Sequence, residues 1–162
     1  MAKRFIVTLL FVLSINISYS QGRNHEMVLA NCVLTSLRAG NDSLILQCIP
    51  SRMEFDLITE TAKAFSDKNA VPVDSLIKNI SIGSLKNVNK IYAIGQRNQI
   101  NWSLVKIDSV SVNVLKPEFD KIEKANIVVF LSQDETRFSL KLSRCLFVTD
   151  SWRIMDIIVW KD

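Results

Sequence analysis

Histidine is almost missing from this chain: 162 residues contain one, with four glycines, three prolines and three cysteines. With His25 alone, no histidine-based metal cluster can be assembled, and the serines and cysteines around it carry no recognisable nucleophile motif. Cys32, Cys48 and Cys145 show no Cys-x-x-Cys or Cys/His spacing, so neither a zinc site nor any other cofactor is expected. Charge of one sign never accumulates in a block. Setting aside Lys3 and Arg4 from the 20 basic residues leaves 18 against 16 acidic ones, which argues against a nucleic-acid partner. The apolar run Phe5 to Ile17 is too short, and wrongly flanked, for a membrane span.

What is present at the N-terminus is a leader. Lys3 and Arg4 form a basic region, Phe5 to Ile17 an apolar one, and Ser18-Tyr-Ser20 places small residues before Gln21. Residues 1–20 are therefore read as a signal peptide cleaved near Ser20-Gln21, and 21–162 as a single domain exported to the periplasm or the cell exterior. No cysteine follows the apolar run, which speaks against a lipoprotein anchor. Asn41, Asn79 and Asn101 each begin an Asn-x-Ser tripeptide, which matters only in a eukaryotic secretory host, and the leader reads as bacterial in style. Three cysteines in an exported chain leave at least one thiol free. Cys32 and Cys48 fall on the first two predicted helices and are placed to bridge them, but the expectation is three small buried hydrophobes.

Helical spacing dominates the first part. Glu26 to Arg38 carries Leu29, Cys32, Val33, Ser36 and Leu37 on one face and stops at Gly40. Asn41-Asp-Ser43 caps a short helix from Leu44 to Ile49, ended by Pro50, and Ser51-Arg-Met-Glu54 is a capping box. The helix it opens aligns Phe55, Ile58, Ala62 and Phe65 and is followed by a loop at Asp67 to Ala70. A short helical piece from Ser75 to Ile80 and a separate helix beyond a break at Gly83-Ser84 complete this part. From Trp102 the period changes to two. A bulge is expected near Asp108-Ser109, a connection over Lys116 to Lys124, and then three β-rich runs from Asn126, Phe138 and Trp152. Helices followed by a strand meander predict an α+β fold, N-terminal helices packed on a curved antiparallel sheet of about four strands.

Two misfits interrupt the alternation of the last runs. Arg144 shares a phase with Phe138, Leu140, Leu142, Leu146 and Val148, and Asp156 shares one with Trp152, Ile154, Ile158 and Trp160. A three-residue turn at Thr149-Asp-Ser151 makes opposed residues sum to 300. That register pairs Val148 with Trp152, Leu146 with Ile154, Leu142 with Ile158 and Leu140 with Trp160, and sets Arg144 opposite Asp156. A two-residue turn at Asp150-Ser151 opposes Cys145 to Asp156 and matches less well.

The segments Ser36-Leu-Arg-Ala-Gly-Asn-Asp42 and Thr149-Asp-Ser-Trp152-Arg-Ile154-Met-Asp156, at the two ends of the mature chain, resemble the NTF2-like (cystatin-like) superfamily. Members of that superfamily usually carry an early strand or hairpin where residues 53–97 of this chain read as helix. The resemblance implies a cone-like fold and leaves the activity open, because the superfamily contains isomerases, hydratases and accessory binding domains.

The candidate ligand-binding residues are Arg144, Asp156, Trp152 and Trp102, with no catalytic set. In this reading Arg144 and Asp156 are a polar anchor at the mouth of a cone; as a plain cross-strand ion pair, or an outward-facing pair beside a bulge at Ser143-Arg144, they need no ligand. The tryptophans, Trp160 included, line a pocket or simply fill the core. His25 is read as part of a polar terminal tail, and Asp42 and Glu54 as helix-capping residues fully explained by that role. The expected function is that of an exported, non-enzymatic domain holding a small apolar ligand or a protein partner. The alternatives are an NTF2-like enzyme with Asp156 as base beside Arg144, and a structural or inhibitory protein-interaction module.

Overall fold

The computed structural model describes residues 25–63, 72–116 and 122–161. The expected leader and cleavage site, Phe65, the expected loop at 67–70 and Pro117 lie outside the described residues. Among the described residues no helix is long and apolar enough to cross a membrane.

The first helix, α1 (25–39), buries Leu29, Ala30, Val33, Leu34 and Leu37, spaced three and four apart, so one stripe of the helix enters the core. Gly40 at φ 57° ends it, in the left-handed conformation that glycine adopts without a Cβ penalty. A 3-10 turn over Asp42–Cys48 follows, with the Asn41 side chain accepting the Ser43 N–H. The capping box then forms as written. Glu54 accepts the Ser51 N–H at 2.7 Å, and the Ser51 hydroxyl accepts the Glu54 N–H at 3.3 Å, opening α2 (Arg52–Lys63).

The expected break at Gly83-Ser84 does not occur. One helix, α3, runs through it from Val73 to Arg97. A single interior glycine costs a helix only about 1 kcal/mol, and the stripe Ser84, Val88, Ile91 and Gly95 stays buried in register across the site. Gly95 is a different case. A Cβ there would lie 2.5 Å from Cζ2 of Trp102. Trp102 cannot give way easily, because its ring is walled by Phe138 and Trp160, edge-on at 5.9 and 6.2 Å, and those two rings stack on each other at 4.3 Å. Gly95→Ala is therefore expected to destabilise by about 1–3 kcal/mol, the cost of overpacking, although glycine to alanine in a helix interior ordinarily stabilises. Urea unfolding checks the sign against Gly83→Ala, where a Cβ meets nothing within 4 Å and a gain of about 0.5–1 kcal/mol is expected.

After a 3-10 turn at Trp102–Leu104 come β1 (Lys106–Leu115), β2 (Glu123–Gln133), β3 (Thr136–Val148), β4 (Ser151–Ile154) and β5 (Ile158–Lys161). All pair antiparallel in the order β1-β2-β3-β4, with β5 beside β4 along the same edge of β3. The result is an α+β fold with a curved, unclosed antiparallel sheet. The bulge on β1 lies between Ile107 and Ser109, where the alternation changes phase. Strand β2 begins three residues earlier than the apolar pattern suggests, because Glu123 and Lys124 pair with Phe147 and Leu146. Its alternate residues Ala125, Ile127, Val129 and Leu131 join Phe138, Leu140 and Leu142 of β3 in one core cluster with the α1 stripe, Val88 and Ile91. Polar ties hold the layers together: Arg38 donates to the Val105 carbonyl, Asn89 to Asp42, and the Ile158 N–H to Asn87 of α3.

The register of the last hairpin is half as expected. Leu140 opposes Trp160 and Leu142 opposes Ile158, the predicted pairs. Nearer the turn the register slips by one, to Cys145↔Ile154, Leu146↔Arg153 and Phe147↔Trp152. Both turns considered in the sequence are wrong. The connection is the two-residue Thr149-Asp150, with φ 45° and 60°, the positive pair a type I′ hairpin turn needs. A bulge at Ser143-Arg144 absorbs the difference. These two residues face Asn126 alone on β2, and Met155-Asp156-Ile157 on the other side. Arg144 sits at φ 51°, its N–H donating to the Asn126 side chain, while the Ser143 N–H donates to the Ile157 carbonyl. Alternation therefore changes phase at Arg144, and it is Cys145, not Leu146, that continues the fully buried row of Leu140 and Leu142.

Candidate functional site

Two grooves meet where α1 approaches β4. The larger, about 380 Å³, runs between α1, the 3-10 turn and β4, with Val28, Asn31, Thr35, Gln47, Trp152 and Arg153 in its lining. The α1 positions follow helical spacing on a stripe beside the one that enters the core. Cys32 and Cys48 form a disulfide in its wall, Cα atoms 6.1 Å apart, tying α1 to the 3-10 turn. This corrects the expectation of three unpaired cysteines: the geometry of two adjoining helical segments brings the pair together. Cys145 is the buried free thiol, and burial pushes it up to about 12 despite the backbone hydrogen bond from Ile127. A thiol so held is no nucleophile at neutral pH.

The smaller groove, about 240 Å³, is lined by His25, Glu26, Val112, Glu123, Phe147 and Trp152. His25 and Trp152 belong to both grooves. An aromatic ridge separates them: His25 meets Phe147 edge-on at 5.4 Å, and Phe147 meets Trp152 at 5.2 Å with a tilt of 59°. His25 is thus part of α1 and packed on a ring, where the sequence reading placed it in a polar tail.

Beneath Arg153 lies a buried carboxylate. Glu54 accepts from the Ser51 N–H, the Thr149 hydroxyl at 2.8 Å and Arg153 Nε at 2.9 Å, with side-chain exposures of 5% for Glu54 and 26% for Arg153. Desolvation by burial works to raise its carboxyl. The hydrogen bonds from Ser51, Thr149 and Arg153 outweigh it and hold the group below its ordinary range. The capping role assigned from sequence is present, but it does not explain Glu54 fully. The same side chain also anchors the β3–β4 turn and Arg153 in the groove wall. Asp42 likewise does more than sit in a capping turn, since it accepts from Asn89 of α3.

The four residues singled out in the sequence do not share one place. Trp152 lines both grooves. Trp102 is buried in the core beneath α3, its Nε1 without a hydrogen-bond partner among the described residues. Arg144 and Asp156 do meet, Nε to Oδ2 at 3.6 Å, but with side-chain exposures of 68% and 37% they form an open ion pair beside the bulge. Neither is desolvated in the way a catalytic base or a polar anchor requires. Arg144→Met and Asp156→Leu are each expected to change stability by less than about 1 kcal/mol in urea unfolding; a much larger coupling in the double-mutant cycle contradicts the open geometry.

His25, Glu26 and Phe147 were not found from sequence. The signal for Phe147 was hidden by the bulge, which turns it toward the groove; that for His25 was hidden by its proximity to the expected cleavage site. Among the described residues no group of three or more His, Cys, Asp or Glu side chains is arranged to hold a metal ion. Compared with known proteins, the chain matches no family model, no curated protein and no solved structure.

Proposed function

We propose that this protein is an exported, non-enzymatic binding domain of the NTF2-like kind, holding a small, largely apolar ligand in the groove between α1 and β4. The observation that carries the reading is the groove itself. Its volume of about 380 Å³ falls in the range of small-molecule sites, and it sets Trp152, Val28 and Leu44 beside a few polar groups, Asn31, Thr35 and Gln47. The disulfide in its wall is chemistry of an oxidising compartment and agrees with the leader at residues 1–20. Helices that precede a curved antiparallel meander and cover its inner face support the resemblance to the NTF2-like superfamily. The exposed Arg144–Asp156 pair gives the enzymatic alternative no support.

The test is a titration of the mature protein with a neutral naphthylamine fluorophore, followed by its emission. Saturable binding is expected, and Thr35→Trp, at an exposed position of the groove wall, should abolish it with the melting temperature unchanged. Binding that ignores the plug removes the groove from the proposal. Mass spectrometry of the native protein should find its first residue at or near Gln21, and a chain retaining residues 1–20 overturns the export half.

A further inference from the structure

The smaller groove has a chemistry of its own. Glu123, Phe147 and Trp152 are successive cross-strand partners on β2, β3 and β4, so they form one row across the same face of the sheet. Only the slipped register makes that row; opposed residues summing to 300 would set Phe147 against Arg153. His25, Phe147 and Trp152 all line the groove, the Phe147 ring standing at 79° to His25 and 59° to Trp152. Above the row, α1 contributes Glu26, only 9% exposed and lining the groove, with no hydrogen bond or ion pair among the described residues. A carboxylate buried beside aromatic walls and without a counter-charge is complementary to a cation. The face of an aromatic side chain attracts an alkylammonium group.

We infer that the Glu26/Glu123 groove, walled by His25, Phe147 and Trp152, binds the ammonium group of a small organic cation, whose apolar remainder extends past His25 and Trp152 into the larger groove. This deepens the proposed function and rests on it for the position of the apolar part alone. The ammonium is expected to bind by desolvated charge attraction and ring contact, so its affinity should fall as salt rises.

The probe is choline chloride, titrated into the mature protein by calorimetry against sodium chloride at equal ionic strength and against the neutral carbon isostere of choline. Saturable choline binding is expected, with the isostere weaker by about tenfold or more. Glu26→Gln should weaken choline by about tenfold or more while leaving the naphthylamine probe bound. Glu123→Gln, at an exposed strand position, should weaken it less and serves as the deciding variant if Glu26→Gln does not fold. Arg144→Gln should change nothing. Equal affinity for choline and its isostere overturns the inference, as does choline binding indifferent to both glutamate substitutions. Naphthylamine binding blocked by Thr35→Trp without any choline binding overturns it too, yet leaves the proposed function standing. Glutamate-dependent choline binding with no naphthylamine binding supports the cation site and sinks the apolar-ligand reading.

Discussion

Glu54→Ala should lower the unfolding free energy by about 3 kcal/mol, read from urea or thermal denaturation. The side chain is almost fully buried and receives the Ser51 N–H, the Thr149 hydroxyl and Arg153 Nε. Its removal uncaps α2 and leaves the Arg153 guanidinium without a counter-ion. Losing one member of a fully buried pair costs about 3–5 kcal/mol, and the 26% exposure of Arg153 sets the expectation at the lower end. Thr149 adds to the effect. It is a β-branched residue held at φ 45°, and the hydroxyl contact with Glu54 helps keep it there. The same group makes stability depend on pH. Because folding holds the Glu54 carboxyl below its ordinary range, the contribution is complete above the unfolded-state value and is lost as pH falls through the folded-state value. Acid titration of stability should therefore show a component that disappears in Glu54→Gln. That variant should be less damaging than Glu54→Ala, since an amide can still cap the helix. An Ala variant as stable as the wild type, with an unchanged acid limb, contradicts the network.

Removing the Cys32–Cys48 bridge should cost about 3 kcal/mol. The bond closes a loop across a sequence separation of 16 between α1 and the 3-10 turn, and the constraint acts mainly on the unfolded chain. The double substitution Cys32→Ser/Cys48→Ser and reduction of the wild type should give the same loss. The thiol count provides a separate check. Native protein should show no reactive thiol because Cys145 is buried; unfolding should expose one, and unfolding with reductant should expose three. Three reactive thiols without reductant would rule out the bridge. Because Cys32 and Cys48 line the larger groove, the loss should also weaken ligand binding there.

The register of β3 against β4 depends on more than the hydrophobic pattern carries. Period-two alternation identified the β-rich runs, although the last, read as one strand from Trp152 to Trp160, is divided into β4 and β5, and apolar matching found Leu140↔Trp160 and Leu142↔Ile158 correctly. It then treated Arg144 as a misfit within a regular strand. A residue at positive φ leaves no mark in hydrophobic pattern when it is arginine, so a bulge at Ser143-Arg144 stood only as the alternative to a regular strand, and the inward turn of Phe147 and the row Glu123–Phe147–Trp152 were illegible. Gly83 shows the opposite error. Glycine was read as a helix breaker from its intrinsic cost of about 1 kcal/mol, and the buried stripe on either side outweighed it.

What the sequence determined alone were the properties set by near neighbours in the chain. The α1 stripe, the Asn41 cap, the Ser51–Glu54 box, the Asp108 bulge and the order of helices before strands follow from spacing over a few residues, where the backbone geometry is known in advance. Tertiary structure decided whatever depends on which distant residues meet. It brought Thr149 and Arg153 to Glu54 and Cys48 to Cys32, and it carried His25 and Glu26 over a row of the sheet more than ninety residues away in the chain. Such meetings are fixed by the packing of whole elements. A bulge or a two-residue turn, each worth only a few kcal/mol, is enough to redirect them.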